Sequence, residues 1–190
     1  MNKILKVGGC MERKILTRPI AITDVETTGL DPKVHEIVEI GLVIIDQTTL
    51  EIINKLNIKV KPEHIETASE YALKLNGYNV ADWEKAISLP EAMALYAEKT
   101  KEAMFCAHNV TFDWSFIDAA FKKTGVKNEM DYHRLDLFTM AWLKFSDSGL
   151  EKFNMNEIAK FLGIPEEPMP HCGITGAMTE YEIFKEIYWD

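Results

Sequence analysis

Several features that would define a specialised class of protein are missing from this chain. Its cysteines number three in 190 residues. Cys10, Cys106 and Cys172 are scattered and form no C-x-x-C pair, so neither a disulfide framework nor a structural zinc site is indicated, and a reducing compartment is expected. No apolar stretch approaches the length of a membrane span. The opening MNKILKVGGCMERK lacks the continuous apolar block of a signal peptide, so a cytoplasmic protein with no membrane partner is expected. Internal repeats, low-complexity tracts and long Pro/Gly/Ser linkers are also lacking. Basic charge is scarce, with 21 Lys and Arg against 30 Asp and Glu for a net charge of −9. That balance argues against coating long nucleic acids through general attraction. It leaves room for a short contact mediated by metal ions, because a site built from carboxylates is itself acidic until cations enter.

What is present suits one α/β domain with a sizeable core: 47% hydrophobic and 27% charged residues. Residues 1–17 are mixed and basic and read as an N-terminal extension, and residues 18–190 as a single domain. Apolar runs predict strands at Ile20–Asp24, Glu36–Asp46 and Ile52–Val60, a meander of three. Helices follow within ETASEYALKLNGYN, closed by Gly77, and within LPEAMALYAEKTK, with Pro90 near its start. The short strand AMFCAHN leads to a helix over about 111–124, where Phe112, Phe116, Ile117, Ala120 and Phe121 recur at helical spacing as core residues. Further helices are expected near 137–145, with Asp136 as its cap, and at 154–162 and 175–188. Strands first and helices later indicate a mixed sheet flanked by helices.

The chemistry begins at PIAITDVETTGLDP, where an apolar strand ends on Asp24 and Glu26. Residues i and i+2 of a strand face the same way, so two anions project side by side. Their repulsion must be offset by a metal ion, a cationic partner or water. AHNVTFDWSF places Asp113 just inside a helix, and PHCGITGAMTEYEIF places His171 just before the last one. Neither residue is diagnostic alone.

Together, Asp-x-Glu at a strand end, His-Asn-x-x-Phe-Asp-x-x-Phe, and a histidine before a C-terminal helix resemble the DEDDh exonucleases. This DnaQ-like group includes polymerase proofreading subunits, ribonuclease T and oligoribonuclease. The resemblance runs from about Arg18 to Tyr188 and implies a ribonuclease H-like fold. It also implies a 3′–5′ exonuclease acting on the 3′ ends of short or single-stranded DNA or RNA, with two Mg²⁺ or Mn²⁺ ions. Asp24, Glu26 and Asp113 would be metal ligands and His171 the general base. Thr27, Thr28, Gly29 and Leu30 would lie against the terminal nucleotide, and His108 and Asn109 would orient Asp113 or meet the substrate. A homodimer or a polymerase-like partner is left open.

The sequence departs from the family pattern at one point. The fourth carboxylate, five residues after the histidine, is replaced by Gly176. A weakened metal site is therefore expected, with two alternatives: a degenerate domain that binds nucleic-acid ends or a protein partner, or a hydrolase of very short oligonucleotides. Glu180, one helical turn on, is expected to reach only part of the way. Glu39 is expected to satisfy a neighbouring backbone or basic group rather than a metal.

Overall fold

A computed structural model describes residues 17–189; apart from Thr17, the proposed N-terminal extension lies outside them. Five strands form one mixed sheet: β1 (Ile20–Thr27), β2 (Ile37–Ile45), β3 (Ile52–Lys59), β4 (Met104–Ala107) and β5 (Arg134–Asp136), in the order β3-β2-β1-β4-β5. The meander is present, with β1, β2 and β3 antiparallel in turn, while β4 lies parallel to β1 and β5 parallel to β4. Among the described residues six α-helices accompany the sheet: α1 (Glu70–Asn76), α2 (Leu89–Lys99), α3 (Val110–Thr124), α4 (Leu137–Phe145), α5 (Met155–Phe161) and α6 (Gly173–Trp189). This is the ribonuclease H-like arrangement that the motifs imply.

The pleat divides the core in two. Ala21, Val25, Ile40 and Leu42 pack with residues of α2 and α3 such as Met93, Tyr96, Phe116 and Ile117. Ile20, Ile22, Val43 and Ile45 pack with Leu137, Ile158, Ala177, Tyr181 and Phe184 from α4, α5 and α6. Covered on both faces, β2 is buried throughout, which explains its continuous apolar run. Edge strand β3 alternates instead, carrying Asn54, Lys55, Asn57 and Lys59.

Three local differences from the sequence-based expectation shape the region around the two acids. Strand β1 does not stop at Asp24 but continues through Glu26 to Thr27, opposite Glu39 and Ile37 of β2. Both acids thus stand inside a paired strand. Strand β5 is too short to announce itself by periodicity. Helix α6 begins at Gly173, two residues earlier than expected, and its start lies on Gly41 of β2, where an added Cβ would fall 1.9 Å from the Gly173 backbone. Asp136 caps α4 as expected, its side chain accepting from Thr139 N–H.

Candidate active site

Ile20 and Ile22 face α6, and alternation carries that row onward to Asp24 and Glu26. The last partner of β1 in β4 is Cys106, opposite Ile22. Past that point the ladder donor at Val25 N–H is taken by Asp113 Oδ1 at 3.1 Å, from the first turn of α3. One hydrogen bond thereby delivers the third carboxylate to the end of β1 just where β4 turns away. The site lies at the carboxyl ends of neighbouring parallel strands, the usual place for a ligand crevice in such sheets.

His171 arrives from a loop tied to α1. Its N–H donates to Leu75 O at 2.9 Å. Pro170 rests on Gly77, whose left-handed conformation (φ 66°) ends α1 and where a Cβ would come within 2.8 Å of the proline ring. Asp24, Glu26, Asp113 and His171, separated by almost 150 positions, meet at one end of β1.

A cleft of about 500 Å³ opens beside them, lined by Asp24, Glu26, Thr27, Gly29, Leu30 and His171 among others. Leu30 stands 82% exposed on the rim. Thr27 Oγ1 donates to Gly29 O at 2.7 Å, and Gly29 lies so close to His35 that a Cβ would fall 2.3 Å from the ring. Thr28 is placed differently from the motif-based expectation. It is fully buried, and its Oγ1 accepts from Glu36 N–H at 2.8 Å, so it braces the turn and does not line the cleft. His108 and Asn109 do not line it either. The His108 ring lies 2.9 Å from Phe153 O, and Asn109 is an exposed residue at the start of α3. Phe112, grouped with the core by its spacing, is half-buried and forms part of the cleft wall.

Two carboxylates join the cluster that the motif did not supply. Glu167 is buried, with Oε1 accepting from Cys172 N–H at 3.2 Å and from Thr175 Oγ1 at 3.0 Å, while Oε2 lies 3.6 Å from His171 Nδ1. Ligand atoms of Glu26, Glu167 and His171 all lie within 4.8 Å of one another. Glu180 is 1% exposed, and its Oε1 accepts from His108 N–H at 2.7 Å. Among the described residues Glu39 has neither a backbone group nor a base as its partner; it accepts from the Cys172 thiol at 3.0 Å.

So many buried anions raise one another. Burial, followed by Glu167, Glu39 and Asp113, pushes Glu26 up to about 8. Burial pushes Asp113 up to about 7 against the opposing Val25 hydrogen bond. Asp24 and Glu180 move well upward, first through burial and then through their carboxylate neighbours, Asp113 foremost. The described ion pairs of lysines and arginines lie elsewhere: Arg18 with Asp131, Lys99 with Glu98, Lys101 and Lys127 with Glu129, Lys122 with Asp118, Lys123 with Glu36 and Glu63, and Lys185 with Glu182.

These shifts fix a pH dependence. With folded values above the unfolded ones, the metal-free fold binds more protons than the unfolded chain between roughly pH 4 and pH 8, so this contribution to stability falls as pH rises. In EDTA the melting temperature is expected to be lower at pH 8.5 than at pH 5.5. Added Mn²⁺ should recover more at the higher pH, where the carboxylates are ionised. Scanning calorimetry at both values checks the sign.

Comparison with known proteins decides the family. The family model described as Exonuclease, RNase_T, matches residues 21–184. The chain belongs to this exonuclease family. Ribonuclease T of Buchnera aphidicola is 23% identical to it over 151 residues, covering 73% of this chain and 69% of that protein. DNA polymerase III PolC-type of Mycoplasmopsis pulmonis is 26% identical over 155 residues, covering 82% of this chain. The chain spans only 10% of that polymerase's length. Among solved structures, the nuclease domain of 3′hExo, a DEDDh family member bound to rAMP, superposes with a TM-score of 0.73. Its sequence is 20% identical, and the match covers 90% of this chain and 92% of that one. The family model begins in β1, three residues before Asp24, and ends in α6 at Phe184. It thus takes in every member of the acidic cluster. Among the described residues no helix is long and apolar enough to cross a membrane.

Proposed function

We propose that this family member is a metal-dependent 3′–5′ exonuclease that removes nucleotides from the 3′ ends of short or single-stranded DNA or RNA. The observation that carries this reading is the convergence of Asp24, Glu26, Asp113 and His171 beside an open cleft. Hard carboxylate oxygens, buried together without a lysine or arginine partner among the described ion pairs, suit Mg²⁺ or Mn²⁺. Asp24 and Glu26 would hold such ions with support from Asp113. When bound, divalent cations make water a nucleophile near neutral pH and stabilise charge on the phosphate and the leaving oxygen.

The chain's own groups do the rest. Glu167 beside Nδ1 favours the imidazole tautomer protonated there, which leaves His171 Nε2 to accept the proton of the attacking water. Leu30 and Phe112 offer apolar surface to the terminal base, and backbone at Thr27 and Gly29 borders the sugar. The ribonuclease T relatives and the rAMP-bound structural neighbour support a nucleic-acid end as substrate.

A single-stranded oligonucleotide labelled at its 5′ end tests the reaction and its polarity. The expected result is a ladder shortening from the 3′ end, faster with Mn²⁺ than with Mg²⁺, abolished by EDTA and blocked by a 3′-terminal phosphorothioate. Mn²⁺ is preferred because it binds a given ligand set more tightly and Mg²⁺ demands stricter octahedral geometry. Internal cleavage, or equal rates in EDTA, would contradict the proposal. Tight binding of the oligonucleotide without turnover would support the degenerate alternative.

A further inference from the structure

Gly176 stands where the family pattern has its fourth carboxylate, and the structure explains why a side chain is missing there. A Cβ at 176 would lie 2.3 Å from Asp24 Oδ2 and 2.7 Å from its Cγ. Any larger residue must displace the Asp24 carboxylate from its present position. The expectation that Glu180 falls short also needs correction. Its Cα lies ~6 Å further along α6, but a helical side chain leans toward the N-terminus and covers the turn before its own Cα. Glu180 therefore leans back toward Gly176, against which the Asp24 carboxylate lies.

Its two oxygens are in different situations. Oε1 takes the His108 N–H at 2.7 Å, which accounts for one side of the carboxyl group. Oε2 is fully buried and, among the described residues, has no hydrogen-bond partner. The residue is 1% exposed, so water cannot easily answer for that oxygen. Asp24 feels its charge through space, and Asp113, Glu167 and Asp136 press on it in turn. An orphaned carboxylate oxygen among other carboxylates, held by a main-chain donor from the strand-to-helix turn, is poorly explained as structure alone: a glutamine would keep the His108 bond and fill the space without repulsion.

We propose that Glu180 supplies the carboxylate that position 176 lacks, reaching the cation site of Asp24 from one helical turn later, with Gly176 required to leave room for the Asp24 carboxylate beside it. The proposal rests on the reading of this cleft as a metal-dependent nuclease site. On this view the departure from the family pattern is a relocated ligand and not a decayed one. Gly176→Asp is then no repair, because it crowds Asp24 without recovering a site that Glu180 already completes.

Glu180→Gln is the informative variant. The amide oxygen can still accept from His108 N–H, so the structural bond survives, while the orphaned oxygen becomes an uncharged NH₂ group. Mn²⁺ affinity would be measured by calorimetry on the unaltered protein, Glu180→Gln, Glu180→Asp, Gly176→Asp, and Glu182→Gln as a control elsewhere on the same helix. Circular dichroism and the metal-free melting temperature would be recorded for each. Glu180→Gln is expected to weaken Mn²⁺ binding about 10-fold to 100-fold or more, the range seen even for groups that only support a ligand. It should also melt higher than the unaltered protein without metal at alkaline pH, where a buried carboxylate would otherwise have to ionise among its neighbours. Glu180→Asp keeps the charge but withdraws the oxygen, and should weaken binding as well. Gly176→Asp should weaken it too, and Glu182→Gln should leave it unchanged. Unchanged affinity in a folded Glu180→Gln protein would overturn the assignment while leaving the nuclease reading intact. Tighter binding by Gly176→Asp would overturn it as well. Failure of the unaltered protein to bind Mn²⁺ at all would remove both.

Discussion

Replacing Asp24 by Asn should lower turnover on a 3′-ended oligonucleotide by about 10³-fold or more, with the melting temperature of the metal-free protein rising. The two effects come from one cause. Asp24 is the residue that every other acid in the cluster presses upon, with Asp113, Glu180, Glu26 and Glu167 all raising it in addition to burial. Without metal, neutralising it relieves that repulsion. With metal, the same change removes a hard anionic ligand from the centre of the site. Charge stabilisation by bound cations contributes several kcal/mol to such reactions, and ~4 kcal/mol corresponds to a factor of about 10³. A structural surface acid would give neither result. Steady-state assays and thermal denaturation on one preparation test both halves, and a variant that melts lower while retaining activity would show that Asp24 has been misread.

Gly41→Ala should also be damaging although residue 41 carries no chemistry. Gly41 is paired with Asp24 across β1 and β2, and on its other side it touches the start of α6. A methyl group there would lie 1.9 Å from both the carbonyl carbon and oxygen of Gly173. Both are main-chain atoms that cannot rotate away, so β2 and α6 must separate. Overpacking of this kind costs typically ~1–3 kcal/mol. Helix α6 carries Gly176 and Glu180, and His171 lies just ahead of it, so their alignment with Asp24 shifts as well. A displacement of about 1 Å can cost ~10²-fold in rate. The expected outcome is a lower urea midpoint and a loss of turnover of that order. Gly125→Ala is the useful contrast. Nothing lies within 4 Å of a Cβ there, and the only strain is that of its left-handed conformation (φ 70°), far from the cleft. Near-equal effects of the two substitutions on activity would argue against tight coupling between the sheet and α6.

Much of this site is legible in the chain because strand alternation and helix starts are local properties. Asp24 and Glu26 share a face by periodicity alone, and Asp113 falls in the first turn of a helix whose apolar spacing is plain. His171 is visible only through its order relative to the other motifs. Less local features are hidden. Glu167 sits in the charged, proline-flanked stretch IPEEPMP, where a carboxylate looks solvated, and nothing nearby in sequence shows that α6 will fold its first turn over it. Glu180 looks too distant when separation along the helix is weighed without the backward lean of the side chain. Thr28 points to the nucleotide by its place in the motif, although its hydroxyl is used by Glu36 eight residues on. The contact of Gly41 with Gly173 joins positions far apart in sequence, and neither glycine is in a turn that would call attention to it. The single clue to Glu180 is its place one turn after an unexpected glycine.

The most direct measurement is anomalous diffraction from a crystal grown with Mn²⁺ at pH ~8.5, above the value to which burial and its neighbours raise Glu26. At least one manganese peak should appear within ~2.0–2.3 Å of an Asp24 oxygen, shared with Glu26, at the carboxyl end of β1. A clear map with Mn²⁺ bound only elsewhere, or with the Asp24 and Glu26 carboxylates paired directly to each other through a proton, would contradict the reading of this cluster as a metal site.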